Sequence, residues 1–479
     1  MERKIMRMME IIVIVVNFLF LGRLLFFSRG LSIGNVILLG ASVVVTALQI
    51  LLEGYRWQMI PAYLVLLVLS LQVFIYPNKY TVSASMVKRI FKGCLSVVYL
   101  IVAVALPFLL PIFSFDKPTG PYEVGTTTFH FIDSERREEY SDDPKDRREL
   151  MVQLWYPASG SNEPMAPYTT SPKELARGLA SMISIPAFTI EHFGQVKTHS
   201  HQEALLSGEE KTWPLLIFSH GMDQFRNGNT FQLEELASHG YIVAAIDHTY
   251  NAAVTVFPDG RSAFSRSQLD DGLPVLDAHM PVWTGDVKFV LDKMEQLNDG
   301  VPDGRFRGAI DMKRVGMFGH SYGGATAMQM LLLDDRVKAG IDMDGGLFGR
   351  LAPDTGISKP FILMNAQDTE DYYMEATKNQ SDVGTDSSEG LWSELLQRRQ
   401  LALKAGSYSL TIPHTDHMSF TDFALYSPLL QAKDANIRSI HRIINDVSLS
   451  FFDKYVKGYD SAALDEIATR YPEIGFVKH

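Results

Sequence analysis

The sequence predicts an α/β fold, with a mostly parallel sheet covered by helices, preceded by an N-terminal helical transmembrane region. Long apolar stretches dominate the chain up to residue 115. Beyond that point, near-continuous apolar segments typical of buried parallel strands alternate with helix-like segments. One strand-like segment also runs into a helix-like segment through a glycine-rich turn. We therefore expect a four-helix transmembrane anchor at 1–115 and an α/β domain at 116–479.

Four apolar stretches carry the membrane prediction: Ile11–Phe27, Leu31–Leu52, Trp57–Tyr76 and Gly93–Phe115. The last three contain no Asp, Glu, Lys or Arg, and each has about the 20 residues that cross a bilayer. Asn17 and Arg23 interrupt the first stretch. A cleaved signal peptide would explain that stretch alone. The expected protein is therefore multi-pass, with the plasma membrane as its location.

Charge changes sign at the same boundary. Residues 1–115 carry ten Lys or Arg against three Glu, a net charge of +7, and the whole chain has −11, which leaves −18 on residues 116–479. Because phosphate binding needs clustered Lys and Arg, this domain is not expected to bind nucleic acid. Basic residues flank the spans on both sides, so the orientation stays open, as does the oligomeric state. The single cysteine, Cys94, excludes an intramolecular disulfide.

Apolar runs and helical periodicity predict the elements of the second domain. The strand segments are Leu215–Ser219, Tyr241–Asp247, Val315–Phe318, Lys338–Met343, Phe361–Ala366 and Tyr408–Ile412. The helical segments are Phe231–His239, Met280–Leu297, Ala325–Leu333 and Ile437–Tyr455. Two polar stretches, Ser134–Arg148 and Asn379–Glu389, are expected to be solvated loops.

A G-x-S-x-G pentapeptide, Gly319–Gly323, lies between a predicted strand and a predicted helix. This is the pattern of the nucleophile elbow of α/β-hydrolases, in which a strained turn holds the serine hydroxyl clear of the sheet. Gly319 and Gly323 leave room for that turn. We therefore expect an α/β-hydrolase fold with Ser321 as the nucleophile.

In this fold an acid and then a histidine follow the serine along the chain. His417 lies in a polar loop after a predicted strand and is the expected base, with His414 as its neighbour. Position in the fold favours Asp368 as the acid, while Asp344 and Asp342, at the preceding strand, are alternatives. A further histidine, His441, falls inside a predicted helix.

Two backbone N–H groups are expected to form the oxyanion hole. One belongs to Tyr322, directly after the nucleophile, and the other to Met222, in the loop that follows an early strand. His220, in the same loop, is expected to brace it rather than to act as a base. The histidine and cysteine spacing fits no zinc site, so no metal and no cofactor are expected.

Several motifs keep a common order and spacing over residues 118–425: Gly120–Gly125, Leu154–Pro157, Pro214–Gly221, Ala237–Ala245, Gly319–Thr326, Gly340–Asp344 and His417–Phe423. In these motifs the chain resembles the platelet-activating factor acetylhydrolase family, the plasma or type II group with its bacterial relatives. The resemblance implies Asp344 as the triad acid in place of Asp368. It also implies oxyanion donors at Met222 and Tyr322. The four-span N-terminus departs from the secreted animal members.

The resemblance implies a serine esterase that hydrolyses short or oxidised sn-2 acyl esters of phospholipids, with a lipid substrate and a bilayer as its partners. Two alternatives remain open. One is a general carboxylesterase or dienelactone-hydrolase-like enzyme acting on small soluble esters or polyesters. The other is a non-catalytic membrane sensor whose hydrolase-fold domain only binds. The apolar segment Lys173–Phe193 is expected to line the pocket, to enter lipid, or to pack on the sheet.

Overall fold

The computed structural model describes residues 6–26, 32–75, 86–160, 162–267, 272–378, 388–459 and 462–479. The chain divides into two compact units. The first comprises Met1–Phe113 together with two short later segments, Phe188–Val196 and Tyr426–Leu429. The second comprises Ser114–Ala187, Lys197–Leu425 and Leu430–His479.

Helices make up most of the described part of the first unit: α1 (Met8–Phe26), α2 (Ile33–Glu53), α3 (Ile60–Ile75) and α4 (Met86–Leu109). Among the described residues, α2 is the one helix that is both long and apolar enough to cross a bilayer, and a signal sequence would also fit it. Trp57–Leu71 and Gly93–Leu109 are shorter apolar segments. The ends of three expected spans, Phe27, Leu31 and Tyr76, lie outside the described residues.

Polar side chains line the inner side of these helices. Four of them are buried on α2: Asn35, Ser42, Thr46 and Gln49. At one end of the unit the Arg56 guanidinium donates to both carboxylate oxygens of Glu10 at 2.7 Å. Arg7 donates to the same carboxylate, also at 2.7 Å. The apolar side chains of α2 point outward instead, as Ile37, Val44 and Leu51 do.

The second unit is built on strands β1 (Glu123–Arg137), β2 (Arg147–Ala158), β3 (Met165–Pro167), β4 (Lys197–Gln202), β5 (Trp213–Ser219), β6 (Ile242–Asp247), β7 (Val254–Val256), β8 (Ser262–Phe264), β9 (Ile310–His320), β10 (Val337–Met343), β11 (Phe361–Ala366), β12 (Tyr408–Ile412) and β13 (Val477–Lys478). β7 and β8 pair with each other. The other eleven form one sheet in the order β13-β12-β11-β10-β9-β5-β6-β2-β1-β4-β3. Its central strands, from β6 to β12, are parallel, and β2 is antiparallel to β6 and β1.

The remaining helices are α5 (Pro172–Met182), α6 (Thr230–Ser238), α7 (Leu273–Asn298), α8 (Tyr322–Leu333), α9 (Gln367–Lys378), α10 (Ser388–Ala402), α11 (Phe423–Tyr426), α12 (Ile437–Phe452) and α13 (Ile467–Arg470). The core lies between them and the central strands, whose Val, Ile, Leu and Phe side chains are fully buried. The α/β prediction is thus confirmed, and each predicted strand and helix is present. The antiparallel β1–β2 arm makes the sheet mixed.

The prediction that Ser134–Arg148 is a solvated loop is wrong at both ends of the segment. β1 continues to Arg137, and β2 begins at Arg147. Arg148 is buried, and its guanidinium pairs with Glu138 at 3.0 Å and with Asp286 at 2.7 Å, which compensates its charge. The charge run suggested solvent, whereas part of it is paired inside the fold. Of the other expected loop, Asn379–Glu389, residues 379–387 lie outside the described residues.

The apolar segment Lys173–Phe193 falls into two parts. Its first part, as far as Met182, belongs to α5, in which Leu175, Ala176 and Leu179 are buried. Leu175 also lines a cleft, and the three expected roles of the segment stay predictions. From Phe188 onward the chain belongs to the first unit.

Candidate active site

Ser321 occupies the turn between β9 and α8. Its φ of 55° and ψ of −122° are unfavourable for a residue with a side chain. A Cβ added at Gly319 would overlap the backbone of Gly323, and one added at Gly323 would overlap the Ser219 carbonyl. The Ser321 N–H donates to the Met343 carbonyl at 2.9 Å. The turn therefore requires both glycines and fixes the serine between β9 and β10.

The loop after β5 lies against this serine. A Cβ added at Gly221 would be 3.0 Å from Ser321 Cβ. The Gln224 N–H donates to the Gly221 carbonyl at 3.0 Å and closes a tight turn around Met222. Within the described residues, neither the Met222 N–H nor the Tyr322 N–H donates to a protein atom. Two unpaired N–H groups beside a serine form an arrangement suited to an oxyanion.

His417 and Asp344 are brought together from different loops. The His417 Nδ1–H donates to Asp344 Oδ2 at 2.7 Å. The fully buried carboxylate also accepts from the Ala366 N–H at 2.7 Å and the Thr369 hydroxyl at 3.0 Å. Burial by itself raises the pKa of Asp344, but the hydrogen bond and charge of His417 outweigh burial, so the pKa is lowered. The His417 side chain is 46% exposed, so its Nε2 can serve a substrate.

The link between serine and histidine runs through His320. Within the described residues the Ser321 hydroxyl makes no hydrogen bond to His417. The rings of His320 and His417 lie with centroids 4.4 Å apart, and the His320 Nε2–H donates to the His417 carbonyl at 2.8 Å. Catalytic hydrogen bonds are commonly open in substrate-free enzymes and close in the Michaelis complex.

The competing acids are placed elsewhere. Asp368 is exposed in the first turn of α9 and is not hydrogen-bonded to His417 in the described structure. Fold position misleads here because α9 begins directly after β11, whereas Asp344, with φ 56°, turns back at the end of β10. Asp342 is buried and accepts from the Gly345 N–H at 2.7 Å. Burial raises its pKa well above the usual range.

The other histidines after the elbow have structural positions. His414 is exposed, with φ 57°. His441 is buried, and its ring stacks on Phe231 with centroids 3.7 Å apart. It also donates to the Thr421 carbonyl at 3.2 Å. Neither is hydrogen-bonded to Asp344 in the described structure.

Sequence reasoning missed a buried hydrogen-bond network beneath the loop after β5. We call this loop the oxyanion loop, because it carries the Met222 N–H. The Ser219 hydroxyl donates to His248 Nε2 at 2.7 Å, and the His248 Nδ1–H donates to Asp286 at 2.9 Å. The His248 backbone N–H donates to His220 Nε2 at 3.2 Å, and the His220 Nδ1–H donates to the Gly221 carbonyl at 2.6 Å. Burial lowers the pKa of His220, and it lowers that of His248 to about 3. Both rings are therefore neutral.

This network gives His220 a bracing position, as expected. The Gly221 carbonyl and the Met222 N–H belong to one planar peptide group, so holding the carbonyl also aims the N–H. Asp286, on α7, supplies the carboxylate of the network and lies 38 positions after His248 in the sequence. No spacing pattern in the sequence joins these two residues.

Two further features bear on ligands. Among the described residues, no three His, Cys, Asp or Glu side chains are grouped so as to hold a metal ion. A cleft of about 320 Å³ lies on the other side of the oxyanion loop, lined by residues that include Phe225, Arg226 and Thr128. Ser321, Asp344 and His417 do not line it.

A parallel-sheet core that carries a serine elbow, a histidine–aspartate pair and two unpaired N–H groups defines a serine hydrolase of the α/β class. The chain belongs to the platelet-activating factor acetylhydrolase, isoform II, family, whose model matches residues 112–268 and 284–463. The resemblance drawn from the sequence motifs is thereby confirmed. A member of this family is a carboxylic ester hydrolase.

Three relatives show the extent of the similarity. A platelet-activating factor acetylhydrolase of Cavia porcellus is 26% identical over 377 residues, which cover 71% of this chain and 77% of that protein. A probable 1-alkyl-2-acetylglycerophosphocholine esterase of Arthroderma benhamiae is 26% identical over 404 residues, covering 77% and 94%. The solved ferulic acid esterase of Streptomyces cinnamoneus is 28% identical, with a TM-score of 0.61, and covers 77% of this chain and 100% of its own.

Proposed function

We propose that Ser321, His417 and Asp344 form a catalytic triad and that the Met222 and Tyr322 N–H groups bind the oxyanion. Ser321 Oγ attacks the ester carbonyl and passes its proton to His417 Nε2, while Asp344 stabilises the imidazolium. That proton then goes to the departing alcohol. A water molecule, deprotonated by the same nitrogen, hydrolyses the acyl-enzyme and releases the acid. The 2.7 Å hydrogen bond from His417 to the buried Asp344 carboxylate, together with the strained backbone of Ser321, is the main support.

Labelling with a fluorophosphonate tests this proposal. The wild-type protein is expected to label at Ser321, and Ser321→Ala is expected to lose the label. Ser159→Ala, which removes an exposed hydroxyl on the same domain, serves as the matched control. A wild-type protein that stays unlabelled where a known serine hydrolase reacts would contradict the proposal. It would favour the non-catalytic membrane sensor instead.

We propose short or oxidised sn-2 acyl esters of phospholipids as the substrate. The names of two relatives, an acetylhydrolase and a 1-alkyl-2-acetylglycerophosphocholine esterase, support this choice. An apolar helical unit on the same chain would hold the domain close to such lipids. Release of acetate or a short oxidised acid from dispersed phospholipid is expected, with little release of long sn-2 chains.

A second candidate is an esterase acting on small soluble esters, including dienelactone-like substrates or polyesters. The similarity to the ferulic acid esterase favours it. A p-nitrophenyl acyl series and methyl ferulate, compared with short-chain phospholipid, separate the candidates. Fast turnover of the p-nitrophenyl esters or methyl ferulate, with no turnover of short-chain phospholipid, would contradict the lipid proposal and favour this candidate.

We further propose that 1–115 is a four-span membrane anchor for a catalytic domain at 116–479. The helices support this, because α2 buries polar side chains and exposes apolar ones, the reverse of a helix on a water-soluble protein. The full-length protein is expected to stay in the membrane pellet after alkaline carbonate washing. The N-terminus of the protein recovered from this pellet should be uncleaved, with the first helices still attached. Release into the supernatant, or cleavage after the first helices, would contradict the anchor.

The charges favour an extracytoplasmic catalytic domain. Arg7 and Arg56 form ion pairs with Glu10 at the end where the chain leaves α4. The basic residues at the opposite ends of the proposed spans have no acidic residue near them in sequence: Arg23, Arg29, Lys79, Lys88, Arg89 and Lys92. The positive-inside rule places those ends in the cytoplasm. A membrane-impermeant fluorophosphonate is then expected to label Ser321 on intact cells, and labelling only after lysis would reverse the orientation.

A further inference from the structure

The side chain of Gln224 cross-ties the oxyanion turn. Its backbone N–H donates to the Gly221 carbonyl at 3.0 Å, and its side-chain oxygen accepts from the Gly221 N–H at 3.2 Å. Both backbone groups of Gly221 are thus bound by one residue. The side-chain amide also donates to Met418 Sδ at 3.6 Å, in the loop of the candidate base. Gln224 is buried, so water does not compete for these contacts.

The same amide reaches the serine elbow through His320. Gln224 Oε1 lies 3.1 Å from His320 Nδ1, and His320 Nε2 lies 2.8 Å from the His417 carbonyl. His320 is fully buried and directly precedes Ser321. A continuous chain of polar contacts therefore runs from the oxyanion turn, past the nucleophile, to the backbone of the base.

We propose that Gln224 and His320 are positioning residues that hold the oxyanion turn and the His417 loop at a fixed separation around Ser321. The inference rests on the proposed esterase function and deepens it. Neither side chain needs to touch substrate. Each acts through the backbone group that it binds. The Gln224 side chain fixes the Gly221 N–H, in the peptide group directly before the one that carries the Met222 N–H, so it steadies the turn from which that donor is aimed.

The two contacts of His320 can be removed separately. A neutral imidazole carries one ring proton, whereas Gln224 Oε1 and the His417 carbonyl both only accept. Burial, followed by the neighbouring His417, lowers the pKa of His320 to about 3, so the ring is neutral at neutral pH. Its one proton lies on Nε2 and is donated to the His417 carbonyl, so His320 Nδ1 and Gln224 Oε1 are in contact at 3.1 Å without a hydrogen bond of their own. Gln224→Met deletes the first contact, and His320→Gln retains a donor for the second.

Steady-state hydrolysis of p-nitrophenyl acetate by the full-length protein in detergent tests the first contact. Gln224→Met is expected to lower kcat about tenfold and to leave KM within about threefold, because a misaimed donor weakens only transition-state binding. Gln296→Met makes the same change at an exposed position on α7 and is expected to match the wild type. A folded Gln224→Met enzyme with kcat within threefold of wild type would overturn the proposal.

The second contact is tested at His320. His320→Gln is expected to retain more kcat than His320→Leu, which has no donor for the His417 carbonyl. In the double variant Gln224→Met/His320→Leu, the loss should be smaller than the product of the single losses, because both substitutions interrupt one chain of contacts. Equal kcat for the two His320 variants, or losses that simply multiply, would overturn the coupling.

Hydrogen exchange provides a readout that needs no turnover. Gln224→Met is expected to speed exchange of the Gly221 amide, which loses its acceptor, while exchange in the last turns of α7 stays unchanged. If the wild-type protein were inactive and Gln224→Met still exchanged faster at Gly221, the esterase proposal alone would be contradicted. Unchanged exchange at Gly221 would contradict the positioning role, whatever the activity.

Discussion

Three residues around the candidate site have left-handed backbone conformations: Ser321 at φ 55°, Asp344 at 56° and Asp223 at 58°. Such conformations cost about 1–3 kcal/mol each and persist only where the surrounding structure dictates them. Here they belong to the proposed nucleophile, the proposed acid and the turn proposed to bind the oxyanion. Strained backbone is thus present at each of the three segments whose groups would be aimed at one carbonyl.

The role of the acid gives the first prediction. Asp344→Asn is expected to lower kcat by about 10³–10⁴, since an amide cannot stabilise the imidazolium and favours the wrong histidine tautomer. Asp368→Asn, at the exposed position on α9, should leave kcat within threefold. Steady-state rates on p-nitrophenyl acetate measure both. The opposite ranking of the two variants would return the acid role to Asp368.

At the scale of elements, the core strands were predictable because each is a short apolar run bounded by turn residues. The elbow was predictable because its glycines leave a local signature. The aspartate that pairs with His417 was not, since position in the fold favoured Asp368 and only the family motif indicated Asp344. The His248–Asp286 network was also out of reach, because tertiary packing alone joins its parts. A charge run such as Ser134–Arg148 likewise does not reveal which charges are paired.

The loop that carries His417 also caps a helix. The Asp422 carboxylate accepts from the Thr230 and Phe231 N–H groups, at 2.8 and 3.3 Å, at the start of α6. The Tyr168 hydroxyl donates to it at 3.1 Å. Burial raises the pKa of Asp422 to about 8. The unfolded carboxyl ionises near pH 4, so the folded protein holds an extra proton between about pH 4 and 8, and the free energy of unfolding falls as pH rises through that window.

Substitution of this cap gives the second prediction. Asp422→Asn stays neutral at every pH, so it lacks this fall in stability. It is expected to melt below the wild type at pH 5, because an amide N–H replaces one acceptor of the helix N-terminus. The gap should narrow toward pH 8. Thermal melts across this range in detergent measure it, and a gap that is constant with pH would contradict the assigned proton.

The buried arginine of β2 gives the third prediction. Arg148→Ala removes the ion-pair partner of the buried Glu138 and the closer of the two arginines at Asp286, while Arg136 remains 2.8 Å from Asp286. Breaking a buried pair costs about 3–5 kcal/mol. Arg147→Ala removes the neighbouring arginine, which is exposed and bonds only to nearby carbonyls, and should cost less than about 0.5 kcal/mol. Urea unfolding compares the two. Equal losses would show that the arginine pairing at β2 does not stabilise the fold.

At the scale of the whole molecule, the helical unit is assembled from three separate parts of the sequence. Phe113, at the end of the N-terminal region, lies with its ring 5.5 Å from Phe193 and 5.2 Å from Tyr426. Phe193 and Tyr426 are themselves 4.4 Å apart. All three rings are buried. The boundary of the unit therefore does not follow a single cut in the chain.

This assembly gives the last prediction, for a shortened chain that begins at Ser114. Without the helices and Phe113, the Phe193 and Tyr426 rings keep each other but lose Phe113, and the apolar surface of this pair becomes exposed, so the shortened protein is expected to bind a hydrophobic dye and to self-associate. Phe193→Ser with Tyr426→Ser should reduce both effects. Tyr459→Ser, at a side chain that is already exposed, should change neither. Size-exclusion chromatography and dye fluorescence measure the outcome. A shortened, unsubstituted chain that is monodisperse and dye-free would contradict the assignment of 188–196 and 426–429 to the helical unit.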